Sequence, residues 1–315
     1  MKIVFMGTPE FAVASLNALV REGFDIVGVI TAPDKPAGRG MKLQESAVKK
    51  YAIEKGLPVL QPEKLKNPEF IEQLEKLKAD VQVVVAFRML PEVVWNMPPM
   101  GTINVHGSLL PQYRGAAPIN WAIINGEKET GVTTFKLKHE IDTGDVLLQE
   151  IIPIDENETA GMLHDKMKEI GAALLVKTIK ELENGSLKEK PQHDWDPGRE
   201  LKHAPKIFTE TCRINWELPL EKIHNLVRGL SPFPGAFTFL DGKLLKLFKT
   251  EKEFADHSLQ SGTIVTDGKT FLKISAEGGF LVVKELQLEG KKKMMTEDFL
   301  RGFRMRENLM VDSFV

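Results

Sequence analysis

Two polar side chains lie two residues apart in the stretch INVHGSLLPQYRGAAP, residues 103–118. Asn104 and His106 follow an apolar approach, and beyond them neither helical nor strand periodicity continues. Residues i and i+2 of an extended segment point to the same face, so both side chains can address one small space at the end of a strand. An amide can donate to a developing oxyanion and an imidazole can move protons, so the pair is suited to attack on a carbonyl group.

An acidic pair follows in HEIDTGDVLL, where Asp142 and Asp145 lie in a glycine-containing loop before another predicted strand. A carboxylate beside a histidine favours the imidazolium form and fixes the orientation of the ring. Each motif alone is weak, because Asn-x-His pairs and Asp-Thr-Gly-Asp turns also occur as ordinary polar turns. They support each other only if the fold brings them together, so the spacing indicates an α/β enzyme and leaves the transferred group open.

The elements that must position these residues alternate along the first half of the chain. The segments KIVFMG, DIVGVIT, PVLQ, DVQVVVAF and GTINVH are predicted strands, and most are separated by segments with helical periodicity. The first helix is expected to have Thr8 as its N-cap and Pro9 as its first residue. This pattern predicts a Rossmann-like, largely parallel sheet with flanking helices. Ligands bind such sheets at the carboxyl ends of the strands, which is where GTINVH ends.

The pattern changes after a long predicted helix that closes at Asn184-Gly185. Residues 186–208 contain two charge clusters, three prolines and no sustained period, as is typical of a linker. Beyond them, one helix is followed by short strands that are broken by Asp-Gly and Gly-Gly, which predicts a small antiparallel barrel of the OB type. We therefore expect a catalytic domain at residues 1–188, a linker at 189–208 and a second domain at 209–315.

Composition limits the class of protein. Of 315 residues, 42% are hydrophobic and 27% charged, as in soluble globular proteins. No apolar run approaches the length of a membrane span, and the single cysteine, Cys212, excludes an internal disulfide framework and cannot alone make a zinc site. We expect a cytoplasmic protein. The net charge is only -2, so binding of a polyanion would need basic residues that are gathered locally.

Several motifs together carry a family resemblance. The stretch INVHGSLLPQYRGAAPINWAI, with IDTGDVL downstream, resembles the signature of folate-dependent formyltransferases. The segments FMGTPEFAVASL, TAPDKPAGRGMKLQESAVKKYAIEKGLPVLQP and INWELPLEKIHNLVRGLSPFPGAF resemble, in order, the members that act on methionyl-tRNA. The resemblance covers essentially the whole chain. It implies that Asn104, His106 and Asp142 form the catalytic group.

The resemblance also implies the substrates. The donor would be 10-formyltetrahydrofolate, the acceptor the α-amino group of methionine esterified to initiator tRNA, and no metal would be needed. The folate-binding positions implied by the resemblance are Phe87, Arg88, Met89, Leu90, Ser108, Leu109, Leu110, Pro111, Ile141 and Asp142. Phe87-Arg88 stands where the family usually has Tyr-Gly, and Lys138-His139-Glu140 where small residues are more common. Main-chain contacts to the pterin can survive both departures.

The loop APDKPAGRGMKL is long, basic and rich in Gly and Pro, so we expect it to order on binding a polyanion. In the family this insertion reaches the tRNA acceptor stem, and Arg39 matches its key arginine, while Met41 replaces a residue that is often Lys. The tRNA-binding positions implied by the resemblance are Lys35, Arg39, Lys42, Lys206 and Lys246. The protein is expected to act as a monomer without membrane attachment.

Two alternatives belong to other classes. A formyltransferase for a small amine, such as a nucleotide sugar or glycinamide ribonucleotide, predicts a shorter loop in place of PDKPAGRGMKL and an unrelated or absent second domain. A catalytically idle RNA-binding module predicts loss of Asn104, His106 or Asp142, and all three are present.

Overall fold

The computed structural model describes residues 1–37, 42–195, 198, 200–303 and 309–312. The chain divides into two compact units. The first unit comprises Met1–Gly115, Thr130–Ile152 and His164–Lys202, and the second unit comprises Ala116–Glu129, Pro153–Leu163 and His203–Val315. Two segments from the middle of the chain thus belong with the C-terminal part. The domain limits expected from the sequence, at residues 188 and 209, stay a prediction.

The elements alternate in the first half of the chain as predicted. In order they are β1 (Lys2–Gly7), α1 (Glu10–Arg21), β2 (Asp25–Ile30), β3 (Lys35–Ala37), β4 (Lys42–Gln44), α2 (Ala47–Glu54), β5 (Val59–Leu60), α3 (Pro68–Lys76), β6 (Val81–Val85), α4 (Glu92–Trp95), β7 (Thr102–His106), β8 (Arg114–Gly115), α5 (Pro118–Ile124), β9 (Glu129–Lys136), β10 (Val146–Pro153) and α6 (Ala160–Glu183).

The main sheet of the first unit has the strand order β10-β9-β7-β6-β1-β2-β5. Strand β1 pairs in parallel with β2 and β6, and β6 pairs in parallel with β7, whereas β9 pairs antiparallel to β7. All five residues of β6 are buried, as expected for a strand that is covered on both faces. The prediction of a Rossmann-like, largely parallel sheet is confirmed.

The start of α1 differs from the prediction by one residue. The helix begins at Glu10, and Pro9 is its N-cap, with φ -84° and ψ 176°. The prediction of Thr8 as N-cap and Pro9 as first helical residue was therefore wrong. Pro9 has no N–H that needs a capping partner, and Glu10 places a negative charge in the first turn, which the helix dipole favours.

The second unit is built on an antiparallel sheet, as predicted. Its remaining elements are β11 (His203–Ala204), α7 (Leu220–Gly229), β12 (Ala236–Leu240), β13 (Lys243–Phe254), β14 (Ile264–Thr266), β15 (Leu272–Ala276), β16 (Gly279–Leu288), β17 (Met294–Met295) and α8 (Thr296–Gly302). The strand order is β12-β13-β16-β15-β14, and β17 pairs with β16. Single bridges join Val311 to Leu240 and Met310 to Thr263, so the C-terminal segment connects the two ends of the sheet.

Helix α5 explains why residues 116–129 belong to the second unit. The Asn120 side-chain amide donates to the Gly229 carbonyl at 2.7 Å, and a Cβ on Gly229 would lie 2.6 Å from Ile124 Cγ1. Glycine at position 229 therefore lets α5 and α7 approach closely.

None of the helices in the described parts of the chain has the length and apolar character that a membrane span requires.

Candidate active site

Strand β7 places Asn104 and His106 at the carboxyl edge of the main sheet. Asn104 lies between Val84 of β6 and Phe135 of β9, and His106 lies opposite Thr133 of β9. The two side chains point to the same face because residues alternate along a strand. His106 is the last residue of β7 and is 7% exposed, while Asn104 is half-buried. Both residues therefore lie in the last three positions of β7.

The imidazole of His106 is fixed by a main-chain carbonyl. Its Nε2 lies 2.9 Å from the Tyr113 carbonyl oxygen. A carbonyl oxygen can only accept a hydrogen bond, so Nε2 carries a hydrogen and is the donor of this bond. The edge of the ring also packs against Phe135, with the centroids 6.4 Å apart and the planes at 87°. Nδ1 is consequently the nitrogen that remains for chemistry, because the other one is bound to the backbone.

The carboxylate of Asp142 faces that nitrogen. Asp142 Oδ2 lies 3.9 Å from His106 Nδ1 and accepts a hydrogen bond from the Gly115 main-chain N–H at 2.9 Å. The distance of 3.9 Å is a charge contact and exceeds that of a hydrogen bond. Asp145 instead pairs with Lys138, at 2.8 Å between Oδ1 and Nζ. The structure thus brings Asp142, and not Asp145, to the histidine.

The residues that hold these groups have unusual backbone conformations. Tyr113, which binds His106 through its carbonyl, has φ +60°, and Asp142 has φ +54°. Non-glycine residues adopt positive φ rarely, and such strain is concentrated at functional sites. The adjoining turn is fixed by Thr133, whose hydroxyl donates to the Ser108 carbonyl at 2.6 Å, and by Gln149, whose amide donates to the Leu110 carbonyl at 2.7 Å.

The side-chain amide of Asn104 has no hydrogen-bond partner within the part of the chain that the structure describes. It is therefore able to donate to a ligand. An amide donor, an imidazole nitrogen and a carboxylate together surround the end of β7. This arrangement can stabilise a tetrahedral oxyanion and move a proton, which are the two requirements of carbonyl-group transfer from one nitrogen to another.

The predicted folate positions range from exposed to fully buried. Met89 and Ile141 are exposed apolar residues, at 72% and 60%, whereas Leu90 and Leu110 are buried in the core. Ser108 is fully buried and donates to the Gln112 carbonyl at 2.6 Å. The exposed side chains can therefore contact a ligand directly, and the buried ones can act only by shaping the backbone.

Arg88 has its side chain turned away from such a role. The guanidinium donates to the Pro62 carbonyl and, at 2.7 Å, to the Glu63 carbonyl, and it lies 5.4 Å from the centroid of the Phe87 ring. Burial lowers the pKa of Arg88. These contacts engage the two terminal nitrogens of the guanidinium within the protein, while its Nε has no partner among the described residues.

The basic loop of the first unit is a hairpin at its base. Strands β3 and β4 pair antiparallel from Lys35–Gln44 to Ala37–Lys42, where the sequence predicted an irregular loop. Asp34 anchors the start of the hairpin through Lys49 and through the Gln61 amide, which lies 2.8 Å away. Lys35 is exposed. The structure describes only the main chain of Lys42, and Arg39 and Met41 lie outside the described residues.

Several basic side chains of the second unit lie beside aromatic residues. In the β12–β13 pair, Phe237 lies opposite Lys246, whose ammonium donates to the Pro234 carbonyl at 2.8 Å. The Arg213 guanidinium lies 5.6 Å from the Phe239 ring centroid. Lys206 lies 5.7 Å from the Phe208 ring, and that ring is 58% exposed. Cations interleaved with aromatic rings are typical of nucleic-acid surfaces.

Sequence reasoning gave no role to Gln192, which falls within the predicted linker. The structure places its side chain against the loop that carries Asp142, and only 4% of the residue is exposed. No periodicity or motif marks a single glutamine of this kind in a charged segment.

Fold and site together define an enzyme with an α/β sheet and a group-transfer site at the carboxyl edge of that sheet. Residues 1–179 match the family model described as formyl transferase, and residues 206–304 match that of the formyl transferase C-terminal domain. The chain belongs to the formyl transferase family.

The curated relatives include full-length matches. The methionyl-tRNA formyltransferase of Bacteroides fragilis is 54% identical over 312 residues, which cover 98% of this chain and 96% of the relative. That of Flavobacterium johnsoniae is 46% identical over 315 residues, which cover 99% of both.

The solved structures support the fold. WlaRD, a sugar 3N-formyl transferase crystallised with dTDP and 5-N-formyl-THF, has a TM-score of 0.67 at 23% identity and covers 93% of this chain. This match extends over 99% of WlaRD. HypX from Aquifex aeolicus in complex with tetrahydrofolic acid has a TM-score of 0.63 at 20% identity, covering 95% of this chain and 47% of HypX. At these identities the likeness concerns the fold alone.

Proposed function

We propose that this protein transfers the formyl group of 10-formyltetrahydrofolate to the α-amino group of methionyl initiator tRNA, giving N-formylmethionyl-tRNA for translation initiation. The observation that carries the proposal is the placement of His106 Nδ1 opposite Asp142, beside the unpartnered amide of Asn104. The full-length relatives that are named methionyl-tRNA formyltransferases support the choice of acceptor.

The mechanism follows from the groups at the end of β7. The free amine attacks the formyl carbon, a C–N bond forms, and the carbonyl oxygen becomes an oxyanion that the Asn104 amide stabilises. His106 accepts a proton from the attacking amine at Nδ1, since Nε2 is bound to Tyr113. The bond from the formyl carbon to the folate nitrogen then breaks, and that nitrogen takes up the proton that His106 had accepted.

Asp142 contributes through charge and position. Its carboxylate stabilises the imidazolium that forms when Nδ1 is protonated, and as an imidazolium His106 can also donate to the oxyanion. The Gly115 N–H holds the carboxylate in place, so little reorganisation is needed when the charge develops. Folate supplies the formyl group, and the exposed Met89 and Ile141 offer apolar contact to its ring system.

The tRNA would be bound by cations outside the catalytic group. Lys35 and Lys42 lie on the two strands of the β3–β4 hairpin, and Arg39 belongs to the segment that joins them. Lys206, beside the Phe208 ring, and Lys246 of β13 lie in the second unit. Such contacts neutralise phosphates and therefore make binding dependent on salt. We further propose that the protein acts in the cytoplasm and as a monomer.

A formyltransferase for a small amine is the second candidate, because the His106–Asp142 contact serves formyl transfer to any amine and does not specify the acceptor. The experiment mixes the purified protein and 10-formyltetrahydrofolate with charged initiator tRNA, or with a panel of free amines that includes an amino-sugar nucleotide and glycinamide ribonucleotide. The proposal expects formyl transfer to the charged tRNA and little to the panel. Transfer to a panel member without transfer to tRNA would establish the second candidate instead.

A further inference from the structure

A buried glutamine connects the two loops that hold the catalytic pair. Gln192 Nε2 donates to the Asp142 carbonyl at 2.7 Å and to the Gly144 carbonyl at 2.8 Å. Its Oε1 accepts from Arg114, at 3.0 Å from Nε and 2.6 Å from Nη2. Both polar atoms of the Gln192 side chain are therefore engaged: its Nε2 donates to the Asp142 loop, and its Oε1 accepts from Arg114 on the other loop.

Both loops bear directly on the His106–Asp142 geometry. Arg114 lies between Tyr113, whose carbonyl binds His106 Nε2, and Gly115, whose N–H binds the Asp142 carboxylate. On the other side, Gln192 binds the carbonyl of Asp142 itself. A shift of either loop would change the distance of 3.9 Å between His106 Nδ1 and Asp142 Oδ2.

The local backbone needs such a support. Asp142 has φ +54° and Tyr113 has φ +60°, so both loops adopt conformations that non-glycine residues adopt only when their surroundings hold them. Gly144 allows the main chain to pass close to β9, because a Cβ there would overlap the Lys136 carbonyl oxygen. The two carbonyls that Gln192 binds belong to this constrained loop.

The segment around Gln192 is itself anchored to the first unit. Lys190 and Val146 exchange two main-chain hydrogen bonds, at 2.8 Å and 2.9 Å. Trp195 packs against Leu110, Phe135 and Val146. The start of the predicted linker is thus part of the scaffold of the site and carries Gln192 to a defined place.

We propose that Gln192, which Arg114 holds in place, is a positioning residue that sets the Asp142 carboxylate against His106. The inference rests on the proposed function, because it concerns the same catalytic group. Gln192 does not touch the reacting atoms and acts only through Asp142. Misplacing a catalytic group by about 1 Å can cost on the order of a hundredfold in rate, so loss of Gln192 is expected to lower kcat by about 10- to 100-fold.

The test uses the full-length protein in single-turnover formyl transfer to charged initiator tRNA. Gln192→Leu should lower the rate in the wild-type background and leave it within about twofold in an Asp142→Asn background, since residues that act through one another are not additive. Gln82→Leu is the matched control. Gln82 is also buried and accepts from Thr102, but it does not contact the Asp142 loop, so it should lower Tm without the rate loss.

A second variant guards against misfolding. Gln192→Glu preserves the size of the side chain and the acceptor for Arg114, but it replaces the two donated hydrogen bonds with a carboxylate facing two carbonyls. It should reduce the rate at least as much as Gln192→Leu. An equal loss in both backgrounds, or no loss in the wild-type background, would overturn the inference. A wild-type protein that formylates no acceptor would instead refute the proposed function.

Discussion

Acidification should destabilise the second unit through one buried histidine, His224 of α7. The residue is 1% exposed, its Nδ1 lies 3.0 Å from the Thr250 hydroxyl, and its Nε2 has no partner in the described part of the chain. Burial, helped by the positive charges of Arg228 and Lys252, lowers the pKa of His224 from 6.5 to about 4. The histidine is therefore neutral in the folded protein at neutral pH.

The sign follows from linkage. Below its unfolded pKa of 6.5 the histidine takes up a proton in the unfolded chain, while in the folded chain it stays neutral down to about pH 4. The stability that neutral His224 contributes to the folded protein is thus fully present above about pH 6.5 and is lost as the pH falls toward 4. Each pKa unit corresponds to about 1.4 kcal/mol, so the total loss is roughly 3 kcal/mol.

The surrounding charges do not remove this penalty. Lys252 pairs with Glu156 at 2.9 Å and with Glu221 at 3.3 Å, and Arg228 donates to the carbonyls of Asp155 and Glu158. Both cations are thus held in place by their own partners beside the histidine. A protonated His224 would therefore add a third positive charge to this cluster.

The assay compares wild type with His224→Gln, which can still bond to Thr250 and does not titrate. Urea unfolding of the full chain is followed between about pH 7 and about pH 4 by pulsed hydrogen exchange in peptides of β13 and β16, which report on the second unit. The difference in free energy of unfolding between wild type and His224→Gln should change by roughly 3 kcal/mol over this pH range. If both proteins lose the same stability, His224 is not the group that titrates and the reasoning is refuted.

Three further predictions concern the site and the tRNA contacts. Asp142→Asn should lower kcat by about two orders of magnitude, while Asp145→Asn should retain most activity because the Asp145 carboxylate pairs with Lys138. If steady-state kinetics give the reverse order, the roles of the two residues are exchanged. Arg39→Ala should raise the KM for charged initiator tRNA several-fold and lessen the salt dependence of that KM, while folate binding in fluorescence titrations stays unchanged. An unaltered KM would show that Arg39 does not contact the tRNA. Gly144→Ala should lower the free energy of unfolding by about 2 kcal/mol and slow turnover, because the added methyl group would overlap the Lys136 carbonyl. Gly302→Ala, whose methyl group would meet open space, should leave Tm nearly unchanged, and equal thermal melts for the two variants would contradict the packing argument.

Much of the fold could be predicted because it depends on local periodicity. The Val-rich strand β6 and the helix–strand alternation around it follow from residue patterns that repeat within a few positions. The shared face of Asn104 and His106 follows from the alternation of residues along a strand. These features need no knowledge of contacts between distant parts of the chain.

The remaining features depend on contacts that no local pattern contains. Gln192 reaches Asp142 across 50 residues, and the Asn120 amide reaches the Gly229 carbonyl across 109. The β3–β4 hairpin lacks the usual alternation of polar and apolar residues and contains Pro36, so its sequence is typical of a loop. The choice between Asp142 and Asp145 required the family resemblance, because both carboxylates lie in one short turn.

The most direct test of the account is the single-turnover rate of formyl transfer to charged initiator tRNA by His106→Ala. The histidine has one nitrogen bound to Tyr113 and the other facing Asp142, so its removal takes away both the proton acceptor and the charge that stabilises the oxyanion. The account predicts a fall of about two orders of magnitude or more with far less effect on folate affinity. A His106→Ala protein that transfers the formyl group at a near-normal rate would contradict it.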